Sequence, residues 1–328
     1  MKIFTVVSPG SRIVCRRGGI YVIRQGDGEK VLVPPDVDCI VVASSRVGIS
    51  SKAIRLAARR GIDVVFLDFN GMPIARLYPP YINRTVATRV SQYKLFQGDY
   101  GRRLAREIVY AKIVNQVELI RYFAKNYREP NLREIAYQID SIATEIRVAD
   151  HRALDREILM SFESRAAKIY WQTIASLLPD SLGFRGRDHS SKDPMNMALN
   201  YGYGILYGVC ERALLFAGLD PYLGVLHTPR SGKPSLTLDF VEMFRAIAID
   251  KPLVLNARKI RLEVSSDRLD YESRKTVASI VLENIRQRYL YTKTGKRIEL
   301  SEAIKVDAWD LAHCIREEME YRGAKLVL

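Results

Sequence analysis

The spacing of apolar residues changes character along the chain. Up to about residue 80, apolar residues alternate with polar ones in short runs separated by turn residues, a pattern typical of β-strands. It predicts strands at 3–7, 12–15, 19–25, 29–33, 39–43, 64–68 and 72–78, and one helix at 51–60. Asp27-Gly28 and Asn70-Gly71 favour hairpin turns because these residues tolerate positive φ. This half is predicted to form a β-sandwich-like domain.

Helical spacing dominates beyond the Pro79-Pro80 pair, which prevents both strand pairing and helix continuation. We predict a β-rich domain at 1–85 and a larger, mainly α-helical domain at 86–328. The predicted helices are 88–126, 131–149, 155–177, 194–217, 236–249, 269–289 and 301–321. The fold class is therefore α+β.

The composition is that of a soluble globular protein, with 48% hydrophobic and 27% charged residues. The first ten residues have too short an apolar run for a signal peptide, and no window approaches the roughly 18 apolar residues of a membrane span. A cytoplasmic protein without membrane association is expected. Cys15, Cys39, Cys210 and Cys314 form no C-x-x-C pair, so we expect reduced and mostly buried thiols.

The chain carries a formal net charge of +14, which favours a phosphate polyanion as partner. Residues 1–85 hold thirteen Lys/Arg against six Asp/Glu, net +7, which leaves 14 − 7 = +7 for the remainder. Both predicted domains could therefore contact nucleic acid. An anionic membrane, an acidic protein, or no polyanionic partner at all are the alternatives that charge alone leaves open.

Glu163 is a candidate functional carboxylate because it lies in the apolar stripe of its predicted helix. Leu159, Ala166 and Tyr170 stand at i−4, i+3 and i+7, and Ala167 at i+4 adds a second small neighbour. A partly buried carboxylate needs a compensating cation, hydrogen-bond donors or a metal. The alternative is an ordinary ion pair with one of the many Lys or Arg residues.

His227 ends an apolar run and precedes a loop that carries Arg230 and Lys233. The next predicted helix places Asp239 and Glu242 on one face, because they are i,i+3 neighbours. Together with Glu163 these residues would make an oxygen–nitrogen site suited to Mg²⁺ or Mn²⁺ and to phosphodiester chemistry. A purely structural histidine is the competing interpretation.

A basic loop at 184–196 carries Arg185, Arg187 and Lys192, which could hold DNA phosphates, although a merely solvated loop would have the same composition. The helix that follows interleaves Tyr201, Tyr203 and Tyr207 with glycines. Glycine is unfavourable inside a helix, which indicates close packing or approach of a ligand. An aromatic core stripe is the plainer interpretation of the tyrosines.

Several ordered blocks resemble one known family. They are FESRAAKIYW at 162–171, DPMN at 193–196 with LNYGY at 199–203, GLDPYLGVLHT at 218–228 and SLTLDFVEMFR at 235–245. The sequence is similar to the CRISPR-associated integrase/endonuclease family, which acquires new spacers and inserts them into the CRISPR array. The resemblance covers essentially the whole chain.

The resemblance implies a homodimer joined through its N-terminal domains, with DNA and a small ferredoxin-like companion protein as partners. It implies a metal site in which Glu163 and His227 are ligands, with Glu242 as the third ligand and Asp239 as an alternate or outer-shell residue. The implied reaction joins a spacer 3′-hydroxyl to the array by transesterification, and water in place of the hydroxyl gives DNA cleavage. The predicted DNA-binding residues are Arg185, Arg187, Lys192, Arg230, Lys233 and Arg245.

Two other classes of function remain open from the residues alone. A non-catalytic DNA- or RNA-binding protein would use the acidic cluster as a salt-bridge network. A small-molecule metal hydrolase would need a deep apolar pocket and would show no salt-sensitive DNA binding.

Overall fold

The computed structural model describes residues 2–26, 28–79, 85–228 and 230–328. The β-rich half contains β1 (Ile3–Val6), β2 (Arg12–Arg16), β3 (Gly19–Ile23), β4 (Lys30–Leu32), β5 (Cys39–Val42), β6 (Gly48–Ile49), α1 (Ser51–Arg59), β7 (Asp63–Leu67) and β8 (Pro73–Leu77). The strands form two four-stranded sheets, in the orders β1-β5-β7-β8 and β4-β3-β2-β6. In the first sheet β1, β5 and β7 run parallel, and β8 pairs antiparallel with β7.

The two sheets and α1 share one hydrophobic core. Ile13 and Ile20 from the second sheet, Ile40 and Val64 from the first, and Ala53 from α1 all belong to this cluster. The predicted β-sandwich-like architecture is therefore confirmed. Residues 8–10 carry the chain from the first sheet to the second, and the short β6 was not predicted.

The second half is mainly helical and completes the predicted α+β class. Its helices are α2 (Thr85–Leu95), α3 (Asp99–Tyr127), α4 (Pro130–Val148), α5 (Arg156–Leu177), α6 (Pro194–Phe216), α7 (Ser235–Glu242), α8 (Lys251–Asn256), α9 (Tyr271–Arg286) and α10 (Leu300–Arg316). A 3₁₀ turn spans Asp180–Leu182 and a π-helical turn spans Ala246–Asp250. The strands β9 (Val264–Ser265), β10 (Arg268–Leu269), β11 (Arg288–Tyr291), β12 (Lys296–Glu299) and β13 (Leu326–Val327) form two small sheets.

Four predicted helices differ from the observed ones, and one of them, predicted at 301–321, ends at Arg316. The helix predicted at 88–126 is broken between α2 and α3, where a side chain on Gly101 would overlap the backbone of Phe96. The helix predicted at 236–249 ends at Glu242 and gives way to the π-helical turn. The helix predicted at 269–289 stops at Arg286, and its last residues begin β11.

The predicted boundary near residue 85 adjoins residues 80–84, which lie outside the described residues, and Asp27 of the predicted Asp27-Gly28 turn lies outside them too. The division into 1–85 and 86–328 stays a prediction. One large core contains Ile3 and Val65 of the first sheet together with the buried side chains of the helical half. The β-rich half therefore packs directly on the helices rather than standing apart from them.

The β7–β8 turn rests on the middle of α6. A side chain at Gly204 would overlap the backbone of Gly71, and Gly71 itself has a φ of +82°. The glycines of α6 thus permit a close approach of backbone, as the sequence pattern indicated. Tyr201 and Tyr203, their neighbours on α6, are buried. This agrees with a role in the core.

The same contact contains a buried ionic network. Asp63, fully buried, accepts a hydrogen bond from Arg212 Nε of α6 at 2.5 Å and pairs with Arg76 of β8. Arg76 also donates from Nη2 to Gly208 O at 2.7 Å and to Glu211 Oε2 at 3.0 Å. These bonds satisfy charges that would otherwise be costly to bury, and they fix the orientation of the first sheet on α6.

The described part of the chain contains no helix long and apolar enough to cross a membrane. The four cysteines are free thiols, and Cys39, Cys210 and Cys314 are buried. Burial raises the pKa of Cys314 to about 11 and those of Cys39 and Cys210 well above their ordinary value. The prediction of mostly buried thiols is confirmed.

Asp63→Ala tests the ionic network. We expect a loss of about 3–5 kcal/mol in the free energy of unfolding, because the substitution removes the fully buried carboxylate that Arg76 and Arg212 share. Urea unfolding followed by tryptophan fluorescence measures it. Asp140→Ala is the matched control, because the Asp140–Arg121 pair is solvent-exposed and its removal should leave the unfolding midpoint unchanged. Equal midpoints for Asp63→Ala and the wild type would contradict the assignment.

Candidate metal and phosphodiester site

Two carboxylates from different helices meet at one ammonium group. Glu163 lies in the middle of α5, Glu242 is the last residue of α7, and Lys112 lies on α3. Lys112 Nζ is 2.6 Å from Glu163 Oε1 and 2.6 Å from Glu242 Oε2. Three helices that are distant in sequence thus converge on this single cation.

Glu242 is buried, with a side chain only 6% exposed, and Arg245 Nη1 lies 2.5 Å from its Oε1 atom. Burial raises the pKa of Glu242, but Arg245 and Lys112 outweigh this effect and lower it to about 2. Burial lowers the pKa of Lys112, but the carboxylates of Glu242 and Glu163 raise it by more. The pKa of Lys112 therefore lies above its ordinary value. At neutral pH the cluster therefore contains a charged Glu242 carboxylate and a charged Lys112 ammonium.

Asp239 organises the loop that leads into α7. Its Oδ2 atom accepts backbone hydrogen bonds from Val225 at 2.6 Å and Leu226 at 2.9 Å. Its Oδ1 atom accepts from the His227 backbone at 2.9 Å and lies 2.6 Å from His227 Nδ1. The Asp239 carboxylate is fully buried. A side chain on Gly224 would collide with it, because a Cβ there would lie 2.5 Å from Oδ2. Asp239 therefore holds the loop backbone in place and orients the His227 ring.

The Asp239 contact also sets the tautomer of His227. A carboxylate accepts hydrogen bonds, so Nδ1 carries the proton and the lone pair of the neutral imidazole lies on Nε2. A carboxylate behind a histidine in this way is the usual support of a metal-binding imidazole. His227 also belongs to the charges that lower the pKa of Glu242, which places it in the same electrostatic environment.

The carboxylates border a cavity of about 170 Å³. It is lined by Lys112, Gln116, Glu163, Ala167, Trp171, Arg187, His189, Tyr203, Glu242, Arg245, Ala246 and Asp250. Two buried oxygens, Gln116 Oε1 and Glu242 Oε2, accept no hydrogen bond within the described structure. Glu242 Oε2 is held instead by its ion pair with Lys112 Nζ at 2.6 Å.

The chemistry of these groups fits a hard divalent cation. Two carboxylates and an amide oxygen are donors that Mg²⁺ or Mn²⁺ accepts, and the buried Gln116 Oε1 atom, which accepts no hydrogen bond, offers unused lone pairs. Within the described ranges, however, no three His, Cys, Asp or Glu side chains are gathered closely enough to enclose an ion. The Lys112 ammonium lies between the two carboxylates, and the predicted ligand His227 is not among the residues that line the cavity. A metal would have to take the place of the ammonium.

The six predicted DNA-binding residues fall into two groups. Arg245 is directed inward, with Nη2 donating to Tyr207 OH at 2.5 Å and the guanidinium 4.9 Å from the centre of the Tyr203 ring. Arg187 donates to Asn196 Oδ1 at 2.8 Å and Asn200 Oδ1 at 2.5 Å. The other four residues, Arg185, Lys192, Arg230 and Lys233, are exposed or partly exposed, and Lys192 pairs with Asp267.

Lys112 and Asp250 were not predicted as site residues. Asp250 accepts hydrogen bonds from Tyr203 at 2.6 Å and Tyr170 at 2.7 Å, and burial raises its pKa to about 6 although both hydroxyl groups lower it. It ends the π-helical turn, a feature frequent at functional sites. The only sequence signal for Lys112 is its place in line with the buried Ile108 and Gln116 at i−4 and i+4 of α3.

Comparison with known proteins places these residues in a family. Residues 4–292 match the family described as CRISPR associated protein Cas1. The CRISPR-associated endonuclease Cas1 of Hyperthermus butylicus is 39% identical over 98% of this chain and 97% of its own length. The CRISPR-associated endonuclease Cas1 2 of Saccharolobus solfataricus is 36% identical over 98% of both chains.

Solved structures share the fold at low sequence identity. A casposase bound to integration product superposes with a TM-score of 0.83 at 21% identity, covering 98% of this chain and 93% of the casposase chain. A Cas6-RT-Cas1–Cas2 complex contains a chain that matches with a TM-score of 0.72 at 17% identity, over 98% of this chain and 36% of the other. With a family match over most of its length and relatives above 30% identity, this chain belongs to the Cas1 family of CRISPR-associated proteins.

Proposed function

We propose that this protein is a metal-dependent DNA endonuclease and integrase of CRISPR adaptation. The observation that carries the proposal is the convergence of Glu163 and Glu242 on one cation, beside a cavity lined by Gln116, whose buried Oε1 atom accepts no hydrogen bond. Family membership supports it, because the curated relatives are named endonucleases. The fold shared with a casposase bound to integration product is consistent with strand transfer.

Glu163, His227 and Glu242 are the residues we assign to hold Mg²⁺ or Mn²⁺. When bound, the cation would neutralise charge on the reacting phosphate and lower the pKa of the attacking hydroxyl or water. Glu242 supplies an ionised carboxylate at any neutral pH, since its pKa is about 2. Asp239 keeps the imidazole of His227 oriented with Nε2 available.

The positive groups around the cavity would act on the substrate as well as on the carboxylates. Lys112 moves off the carboxylates when a metal replaces it, and its ammonium is then free to approach a phosphate oxygen. Arg245 is held by Glu242, Tyr207 and the Tyr203 ring, so its charge stays fixed beside the reacting group. Fixed charges of this kind stabilise a charged transition state without reorganisation.

DNA is the proposed substrate and polyanionic partner. The net charge of +14 favours phosphates through counterion release, and Arg185, Lys192, Arg230 and Lys233 present basic groups at the surface. We further propose a homodimer, a cytoplasmic location and a complex with a ferredoxin-like companion, as the family resemblance implies. The joining of a spacer 3′-hydroxyl to the array by transesterification belongs to the same proposal.

The competing function is non-catalytic nucleic-acid binding, and one observation favours it. Lys112 and Arg245 already neutralise the two carboxylates, as a structural salt-bridge network would. Cleavage of branched DNA as a function of divalent cation separates the two functions. We expect cleavage with Mn²⁺ or Mg²⁺ and none after chelation.

Glu163→Ala is the direct test of the proposed chemistry. We expect cleavage to be lost and DNA binding to be retained, because the carboxylate holds the cation whereas exposed basic groups hold the phosphates. Single-turnover cleavage and fluorescence anisotropy on the same DNA measure the two properties. A folded Glu163→Ala protein that cleaves at the wild-type rate would remove Glu163 from the site.

Glu242→Gln and Asp239→Asn distinguish a metal ligand from its support. Glu242→Gln should abolish cleavage and Mn²⁺ binding, because the amide keeps the shape and removes the charge. Asp239→Asn should slow cleavage by about 10–100-fold, as expected of a residue that orients a ligand. Glu145→Gln, in an exposed pair with Arg165, is the control and should cleave normally. An inactive Asp239→Asn beside an active Glu242→Gln would transfer the ligand role to Asp239.

A further inference from the structure

His189 lies at the mouth of the site cavity. It was not predicted as a site residue from the sequence, and it is not one of the proposed metal ligands. Its side chain lines the 170 Å³ cavity that contains Glu163 and Glu242. It also lines a neighbouring cleft of about 270 Å³, so it stands where the two spaces meet. A substrate that occupies both spaces would contact this imidazole.

The loop that carries His189 is fixed by two asparagines of α6. Asn196 donates to Gly186 O at 2.9 Å and accepts from the Asp188 backbone at 3.0 Å. Asn200 donates to His189 O at 3.1 Å. An exposed imidazole is therefore carried on a backbone that hydrogen bonds hold in place, as preorganised function requires.

Arg187 determines which ring nitrogen of His189 carries the proton. Arg187 Nη2 lies 2.9 Å from His189 Nδ1, and a guanidinium can only donate hydrogen bonds. The Nδ1 atom therefore accepts, and the neutral imidazole has its proton on Nε2. Burial, together with the charges of Arg187 and Arg245, lowers the pKa of His189 and so favours this neutral form.

We infer that His189 is a further catalytic residue, which donates a hydrogen bond from Nε2 to an oxygen of the scissile phosphodiester. The inference rests on the proposed phosphodiester chemistry of the cavity. A neutral donor suits this position, because it can stabilise charge that develops on a phosphate oxygen without forming an ion pair with the nearby carboxylates. The imidazole keeps its proton throughout, so no bond is formed or broken at His189.

A matched pair of substitutions separates this role from simple support of Arg187. His189→Asn places an amide oxygen near the Nδ1 position, which keeps the acceptor for Arg187 and removes the distal donor. His189→Gln places an amide N–H near the Nε2 position, which keeps the distal donor. The exposed His313→Asn on α10 is the control, because His313 does not line the cavity.

Single-turnover cleavage of branched DNA with Mn²⁺ is measured for the four full-length proteins. We expect His189→Asn to be slower than wild type by on the order of 10²-fold, the effect of removing one transition-state donor, with unchanged DNA affinity. His189→Gln should be at least about tenfold faster than His189→Asn. In DNA with a single non-bridging phosphorothioate, one diastereomer should slow the wild type and leave His189→Asn unaffected.

Each other outcome has a defined meaning. A His189→Asn protein that cleaves like wild type overturns the inference. A His189→Asn protein that is faster than His189→Gln also overturns it and makes the residue a support for Arg187. An inactive wild type contradicts the proposed function itself, whereas an active wild type with inactive Glu163→Ala and normal His189→Asn contradicts the role of His189 alone.

Discussion

The architecture of the site depends on burying two like charges around one position. Glu242 is nearly inaccessible and Glu163 partly so, and Lys112 Nζ lies 2.6 Å from each of them. An unpaired carboxylate in such surroundings would cost several kcal/mol, so the cation that separates them is part of the fold as well as of the site. The ammonium occupies the position that a divalent metal would need. In the proposed function, this arrangement would let the site fold with its charges balanced before a metal ion binds.

The remaining elements position this cluster in layers. Asp239 gathers three backbone amides and His227 onto one carboxylate, which fixes the loop leading into α7. The buried Asp250 accepts hydrogen bonds from the hydroxyl groups of Tyr170 and Tyr203. These bonds link α5 and α6 to the π-helical turn. The β7–β8 turn packs on α6 at Gly204, next to Tyr203. The β-rich half therefore packs directly against α6, the helix that contributes Tyr203 to the cavity.

Local signals in the sequence were sufficient for much of the fold. The predicted helix at 51–60 is observed as Ser51–Arg59, where the Ser50 side chain accepts a hydrogen bond from Ala53 N, and the predicted helix at 155–177 begins after the Asp155 cap. The end of α7 at Glu242 was missed because apolar spacing continues to Ile249 through the π-helical turn. The first residues of strand β11 were predicted as the end of a helix, because Tyr289 continues the helical spacing of apolar residues. Tertiary packing, rather than propensity, decides such ends.

The candidate site was only partly accessible to the same reasoning. The apolar stripe around Glu163 and the i,i+3 relation of Asp239 and Glu242 are local features, and the structure shows both. Lys112 lies 51 residues before Glu163, and nothing in its own segment indicates which carboxylates it meets. Arg187 and Arg245 looked like phosphate ligands from their charge, yet their partners inside the protein are asparagines, tyrosines and Glu242. Long-range pairing of charges is what the sequence does not display.

The central claim is that Lys112 holds the place of a metal between Glu163 and Glu242. Anomalous diffraction from crystals grown with Mn²⁺ tests it most directly, because the scattering locates the ion independently of any activity. The account predicts one Mn²⁺ between Glu163, Glu242 and His227, with Lys112 Nζ displaced from both carboxylates. Lys112 still bridging the two carboxylates at saturating Mn²⁺, with the ion elsewhere or absent, would contradict it.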